Sequence, residues 1–198
     1  MTTLDYAFAV AGDVIERDYP VGLYRALAGR LPWLDDEPLA GVHPMRGLTP
    51  CPGGLLVGGR TRITLRIPEH RAVACTALQG ADLELASPLH VGRASRRELL
   101  AYPVLHARLV VTGTDDEAGF VREVEAELAA LEIDCDIIVG RRGELKVNER
   151  QPVAGYSLML HGLSARDSLR AQEHGIGRER KLGCGLFVPH KSIAAVGT

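Results

Sequence analysis

In "EHGIGRERKLGCGLFVPH", residues 173–190, glycines surround three basic side chains. Glycine-rich loops commonly bind phosphate, but this one matches neither common nucleotide-binding motif. Arg180 stands where the dinucleotide fingerprint needs its third glycine, and Lys181 is followed by Leu182 rather than by Ser or Thr. Spacing therefore excludes both motifs.

The order of elements around this loop also differs from a nucleotide site. Ser164 is a good helix N-cap, and Gly175 suits the position just past a helix end. The segment "GLFVPH" after the loop predicts a strand. The chain thus runs helix, basic loop, strand, whereas phosphate-binding loops lead into a helix N-terminus.

Length and composition predict a globular protein of one or two domains. The chain has 198 residues, 46% of them hydrophobic, and its apolar runs are too short to span a membrane. The N-terminus lacks the basic and apolar regions of a signal peptide, and four scattered cysteines suggest no disulfide framework. We therefore expect a cytoplasmic protein with no membrane partner.

The net charge of −2 results from an uneven distribution of acidic and basic residues along the chain. Residues 115–136 contain nine acidic side chains and one basic, so the rest of the chain has a net charge of +6. Because salt screens charges beyond ~10 Å, local charge governs phosphate binding. A nucleic-acid partner is compatible with this distribution.

Hydrophobic periodicity predicts the order β-α-β-(α)-β followed by β-α-β-β-α-β. This is an α+β fold of two consecutive ferredoxin-like (βαββαβ) units, 1–96 and 97–198, the second with the glycine-rich loop 175–185. We expect residues 34–59 to be mostly loop, with a short strand near Leu55, and the charged stretch 93–101 to separate the units.

Two finer expectations concern the second unit. Thr114 and Glu117 predict a capping box at the start of its first helix. The segment "RRGELKVNERQ", residues 141–151, predicts a turn or basic hairpin.

This organisation resembles the repeat-associated (RAMP) proteins of CRISPR systems, and more narrowly the endoribonucleases that cut precursor CRISPR RNA within each repeat. The resemblance rests on "GIGRERKLGCG" with the following "LFVPHK", and on "GVHPMRG" at 41–47 after the first helix. It implies cleavage without metal or cofactor. The ribose 2′-hydroxyl attacks the adjacent phosphate, which leaves a 2′,3′-cyclic phosphate and a 5′-hydroxyl. It also implies retention of the product and assembly with CRISPR effector subunits.

Histidine suits proton transfer because its pKa lies near neutrality. His43 is the first catalytic candidate, since it lies in a Gly/Pro-rich loop, where catalytic groups are often displayed, and where the resemblance places a histidine. The alternative is a surface loop residue beside a proline. His174, beside the glycine loop, is the second. Tyr24 could be a further member, although a core aromatic is the more common role at such a position. Arg46 could stabilise the pentavalent phosphate or be a surface charge.

Glycines in the loop allow close backbone approach and positive φ, and basic side chains in it can reach phosphates. The structural glycines are Gly175, Gly177, Gly183 and Gly185. The RNA-binding candidates are Arg178, Arg180 and Lys181 of the loop, Arg141, Arg142, Lys146 and Arg150 around the predicted hairpin, and Arg62 and Arg66 on the polar face of the predicted strand "RTRITLRI". With only 5% aromatic residues, recognition of a stem-loop by shape and phosphate is favoured over base stacking on a sheet.

Two other functions fit the same sequence. A non-catalytic RNA-binding subunit of a CRISPR effector complex would use the same loop and fold. A ferredoxin-like regulatory domain for small molecules would leave the basic segments without a role.

Overall fold

The computed structural model describes residues 2–147 and 152–190, which form two compact units. The first consists of the described residues up to Leu99 with residues 145–147, 152 and 180–183. The second consists of the remaining described residues, from Leu100 onward. Whether 1–96 and 97–198 are separable domains stays a prediction, since the first unit also includes residues 180–183.

The first unit has a sheet with helices between its strands. Its strands are β1 (Thr3–Ala11), β2 (Val14–Ile15), β3 (Gly41–Val42), β4 (Arg46–Cys51), β5 (Gly54–Pro68), β6 (Asp82–Leu83) and β7 (Leu89–Glu98). Its helices are α1 (Tyr19–Arg30) and α2 (Ala72–Cys75), with 3₁₀ turns at Pro32–Leu34, Glu69–Arg71, Thr76–Leu78 and Arg180–Leu182.

Strand β1 is central in this sheet, because it pairs antiparallel with both β5 and β7. Strand β4 pairs with the other side of β5, so the four main strands have the order β4-β5-β1-β7. With α1 after β1 and α2 after β5, this is the βαββαβ connectivity. Leu23 and Leu27 of α1 are buried in a core with Phe8 and Leu65.

The second unit repeats this connectivity. Its elements are β8 (Val104–Val110), α3 (Glu117–Ala130), β9 (Asp136–Lys146), β10 (Pro152–His161), α4 (Ala165–His174) and β11 (Val188–Pro189). The strand order is β11-β8-β10-β9. Phe120 and Val124 of α3 pack with Leu158 of β10 in a separate core.

Two local expectations were wrong. Residues 46–51 are strand β4, because a tight turn at 52–53 lets them pair back onto β5 rather than remain loop. The charged residues 93–98 belong to β7, where pairing with β1 overrides their polarity. The predicted turn or basic hairpin at 141–151 is not among these errors: residues 141–146 are the end of β9, which lies beside β10 in the sheet, and residues 148–151 lie outside the described residues.

The helix caps show one success and one error. Ser164 caps α4, since its Oγ accepts a hydrogen bond from the backbone N of Asp167. The predicted capping box at Thr114 is wrong, because Asp116 is the N-cap of α3 and accepts from Gly119 N at 2.8 Å. Asp116 satisfies the exposed amide of the first turn two residues later than expected. Across the described residues, no helix is long and apolar enough to cross a bilayer.

The glycines of the loop have backbone conformations that other residues rarely adopt. Gly175, Gly177, Gly183 and Gly185 have φ of +68°, +80°, +95° and +65°. A Cβ at Gly177 would collide with the carbonyl oxygen of Val111, and one at Gly185 with that of Ile176. These two positions therefore need glycine for both conformation and space.

We predict that Gly185→Ala lowers the free energy of unfolding by roughly 2 kcal/mol more than Gly162→Ala does. Gly162 of the same unit has φ of +75°, but the nearest atom that a Cβ there would meet among the described residues is Asp136 Oδ2, at an ordinary contact distance of 3.9 Å. Urea denaturation of both variants separates the steric cost from the conformational cost, and equal losses would contradict the assigned clash.

Candidate active site

The backbone around His43 is fixed by neighbours on two elements. His43 follows β3, and its backbone N donates to the carbonyl oxygen of Thr64 on β5 at 2.9 Å. Two residues on, Met45 N donates to the hydroxyl of Tyr19 on α1 at 2.8 Å. His43 is only 6% exposed, so the expectation of a displayed surface loop is wrong for this residue.

The glycine loop contacts the same segment. A Cβ at Gly183 would lie 3.1 Å from Cγ of Pro44, the residue after His43. Gly183 also has φ of +95°, so a larger residue would be strained there and would press on Pro44. Beside it, Arg180 Nε donates to the carbonyl oxygen of Leu39 at 3.3 Å. Arg180 thus contacts the turn that precedes β3 and His43.

A buried ion pair lies against the imidazole. Arg66 on β5 faces Asp5 on β1, with Nε–Oδ1 and Nη2–Oδ2 distances of 2.8 and 3.0 Å. His43 Nε2 is 3.4 Å from the same Oδ1. Arg66 is 1% exposed, so the expectation that it points to solvent from a polar strand face is wrong. Its guanidinium instead holds the Asp5 carboxylate in place.

Burial and charge set the protonation states of this cluster. Burial lowers the pKa of His43, and the positive charges of Arg66 and Arg180 lower it further, while Asp5 opposes them. Burial opposes ionisation of Asp5, but contacts with His43 and Arg66 outweigh it and lower the pKa of this carboxyl below 3.8. Burial and nearby Arg66 lower the pKa of Arg180 to about 9. At neutral pH the site therefore combines a neutral imidazole, a carboxylate and two cations.

This arrangement is suited to proton transfer beside an anion. A neutral imidazole can accept a proton, and the adjacent Asp5 carboxylate stabilises the imidazolium that results. Guanidinium groups can stabilise a phosphate whose negative charge increases during reaction. The histidine alone was predictable, but this environment could not be inferred from its loop.

The other predicted catalytic residues lie in the same unit. Tyr24 is half-buried against the core and its hydroxyl contacts Asp35 Oδ1. Arg46 is exposed at the start of β4, opposite Arg62 in register. Their catalytic roles stay predictions.

Apart from Arg66, the RNA-binding candidates among the described residues fall into two groups. Arg178, Arg141, Arg142 and Lys146 are exposed, although Arg142 pairs with Glu144 at 3.0 Å and Lys146 with Asp18 at 2.9 Å. Arg62, Arg180 and Lys181 are half-buried, and each donates to at least one backbone carbonyl oxygen, of Thr61, Leu39 and Asp35 respectively. Arg150 lies outside the described residues. RNA contacts by these side chains stay predictions.

Asp5 is the residue that sequence reasoning missed. It stands in the apolar strand "TLDYAFAVA", where a charged side chain between Leu4 and Tyr6 was the available signal. Its partner became evident only from the strand register, which places Asp5 directly opposite Arg66.

Comparison with known proteins agrees with this fold. A structure described as a Cas6-related protein from Pyrococcus furiosus has a TM-score of 0.71 at 13% identity, covering 94% of this chain and 98% of that one. Another, described as a RAMP protein binding different RNA substrates, has a TM-score of 0.68 at 13% identity, covering 93% and 98%. The chain thus has the fold of these structures, with two consecutive ferredoxin-like units, which confirms the predicted fold class.

Sequence similarity identifies the family. The family model described as Cas6 Crispr matches residues 4–192. The CRISPR-associated endonuclease Cas6 of Myxococcus xanthus (strain DK1622) is 38% identical over 198 residues, covering 99% of this chain and 85% of that protein. The chain belongs to the Cas6 family of CRISPR-associated endonucleases. The predicted family and class of enzyme are confirmed.

The lowered pKa of His43 predicts a loss of stability on acidification. The unfolded state binds a proton near pH 6.5, whereas the folded state resists it, so this contribution is present above 6.5 and is lost as pH falls through the folded pKa. Urea denaturation between pH 7 and about pH 5 should show a shallower decline for His43→Gln than for the wild type.

At pH 8, the difference in free energy of unfolding between the wild type and His43→Gln gives the part of the cost of this substitution that does not depend on pH. His106, whose pKa is also lowered by burial and by His190, should keep its own contribution in the variant. Parallel curves for variant and wild type would contradict the assigned burial of a neutral His43.

Proposed function

We propose that this protein binds the stem-loop of CRISPR repeat RNA and cleaves the precursor RNA at one site without a metal ion. The observation that carries the proposal is the neutral imidazole of His43 beside Asp5, with Arg66 and Arg180 near it, in a chain of the Cas6 family. The solved relative that binds RNA substrates supports the choice of RNA as ligand.

The proposed reaction uses the nucleophile that RNA itself carries. The 2′-hydroxyl oxygen attacks the adjacent phosphorus, and its proton passes to the imidazole of His43. The bond from phosphorus to the 5′-oxygen breaks, which leaves a 2′,3′-cyclic phosphate, and the leaving oxygen takes a proton to become a 5′-hydroxyl. The protein must align the attacking oxygen, transfer protons and stabilise charge.

Each candidate has a role in this scheme. Arg46 would stabilise the pentavalent phosphate, and Tyr24 would be the second side chain at the reacting atoms. The exposed basic side chains of the loop and of β9, among them Arg178 and Arg141, would bind the RNA backbone. We further propose that the protein stays bound to its product and can assemble with other subunits of a CRISPR effector complex.

We predict that His43→Ala slows cleavage of the cognate repeat RNA by on the order of 10²–10⁴ and leaves RNA affinity nearly unchanged. Single-turnover cleavage is measured in EDTA, with a substrate carrying a 2′-deoxy residue at the cut site as the chemical control. The deoxy substrate should remain intact.

His90→Ala is the matched control, because His90 is an exposed histidine of the same unit that pairs with Asp82 at 2.9 Å. It should cleave like the wild type. Cleavage that requires magnesium, or that proceeds on the deoxy substrate, would reject the proposed mechanism.

The burial of His43 favours one alternative, in which the imidazole has a structural role and the protein is a non-catalytic RNA-binding subunit. Tight binding of repeat RNA with no product over hours would support that alternative. Failure to bind RNA at low salt would reject both.

For binding, we predict that Arg178→Ala weakens affinity about equally for any RNA stem and reduces the slope of log K against log salt by about 1. Arg166→Ala is the matched control, since Arg166 is exposed on α4 of the same unit and pairs with Glu132 at 3.1 Å. Binding titrations at several salt concentrations compare the two, and an equal effect of both would remove Arg178 from the interface.

A further inference from the structure

Asp5 is fixed more firmly than the histidine it faces. It lies on β1, which is paired on both sides, opposite Arg66 of β5 and Arg97 of β7. Its two carboxylate oxygens accept hydrogen bonds from two nitrogens of Arg66. Rotation of the Asp5 side chain or a shift in strand register would break these hydrogen bonds. His43, in contrast, lies outside the sheet strands, just after the two-residue β3.

One nitrogen of the His43 ring has a single evident acceptor. Nε2 is inaccessible to solvent and, among the described residues, makes no hydrogen bond of ordinary geometry. Asp5 Oδ1 faces it at 3.4 Å. Catalytic hydrogen bonds are often long in a free enzyme and tighten when substrate binds. A buried N–H must be satisfied, and this carboxylate is placed to do so.

We propose that Asp5 is a positioning residue for RNA cleavage, which orients His43 by accepting the proton of Nε2 and so leaves the lone pair of Nδ1 for the reacting hydroxyl. Arg66 supports this role by fixing the carboxylate. The inference rests on the proposed function of His43. By this proposal, a residue of β1 takes part in the reaction through its effect on the orientation of His43.

The chemistry follows from the two tautomers of neutral imidazole. A carboxylate beside Nε2 favours the tautomer that carries its proton there, because the other would place two lone-pair regions against each other. When Nδ1 takes the 2′-hydroxyl proton, the ring becomes a cation next to Asp5, and attraction to the carboxylate stabilises it. Asp5→Asn keeps the shape of the side chain and one oxygen acceptor but removes the negative charge. Its NH₂ group can also face Nε2 in place of the oxygen.

The principal experiment is single-turnover cleavage of repeat RNA by Asp5→Asn across a pH series. We expect a rate about 10- to 100-fold below the wild type, by analogy with the loss that follows when the carboxylate partner of a metal-ligating histidine is removed. RNA affinity should change little. Asp82→Asn, which alters the exposed Asp82–His90 pair of the same unit, is the matched control and should cleave normally.

The pH profile distinguishes positioning from a general structural role. The charged groups that act on His43 are Asp5 from β1, Arg66 from β5 and Arg180 from the turn at Arg180–Leu182. Removing the one negative charge leaves two positive ones, so the limb of the profile that reports His43 should move to lower pH. An unchanged limb with an unchanged rate would overturn the proposal.

A double variant tests whether Asp5 acts through His43. Asp5→Asn in the His43→Ala background should cause no further loss of rate, because the group to be oriented is gone. An additional loss of 10-fold or more would show that Asp5 acts by another route and would overturn the proposal. If His43→Ala alone leaves the rate unchanged, the proposed function fails first, and the two failures are thereby distinguished.

Loss of the carboxylate leaves Arg66 buried beside a neutral side chain, and this variant can lose stability for that reason. Asp5→Asn with Arg66→Met removes both charges and restores the balance. We expect it to recover thermal stability but not the cleavage rate, and recovery of both would overturn the proposal.

Nitrogen chemical shifts of the His43 ring provide a readout besides activity. The wild type should show a protonated Nε2 and an unprotonated Nδ1, and Asp5→Asn should show a mixture of the two tautomers.

Discussion

The ion pair between Asp5 and Arg66 is the interaction on which the arrangement of the site depends. It joins the central strand β1 to β5 in the first unit, and the same carboxylate oxygen faces His43. Replacing a buried ion pair by apolar residues is often neutral or stabilising, so such a pair is weak evidence for stability. The role of this ion pair is geometric, because it holds the Asp5 carboxylate beside His43, which lies outside the sheet strands. The chemistry of the site therefore depends on the register of two strands.

Burial has opposite consequences for the members of this cluster. It removes water from His43 and keeps the imidazole neutral, which suits a proton acceptor but also hides it. Partial removal of water also lowers the pKa of Arg180, to about 9, which still leaves this side chain charged near neutrality. Electrostatic interactions are stronger where water is excluded. A small number of charged groups can thus control the histidine without a large cationic surface.

Much of the fold was predictable from sequence because each element carries its own local signal. The stripe on α1 with Leu23 and Leu27, the N-cap at Ser164 and the positive-φ glycine at 175 depend only on neighbours along the chain. The signals that failed were those overridden by partners far away in sequence. Residues 46–51 and 93–98 look polar or irregular, yet they are strands because β5 and β1 offer them backbone hydrogen bonds.

The sequence by itself determined the α+β class, the repeated βαββαβ order, the family resemblance and the choice of His43, since these follow from periodicity and from short motifs. Three features became evident only from the tertiary structure: Asp5 and Arg66 lie opposite each other, Arg66 is buried rather than exposed, and Gly183 packs beside Pro44. The physical reason is that local spacing specifies which face of an element is apolar. Strand register and loop docking instead depend on free-energy differences between long-range pairings, which no single segment contains.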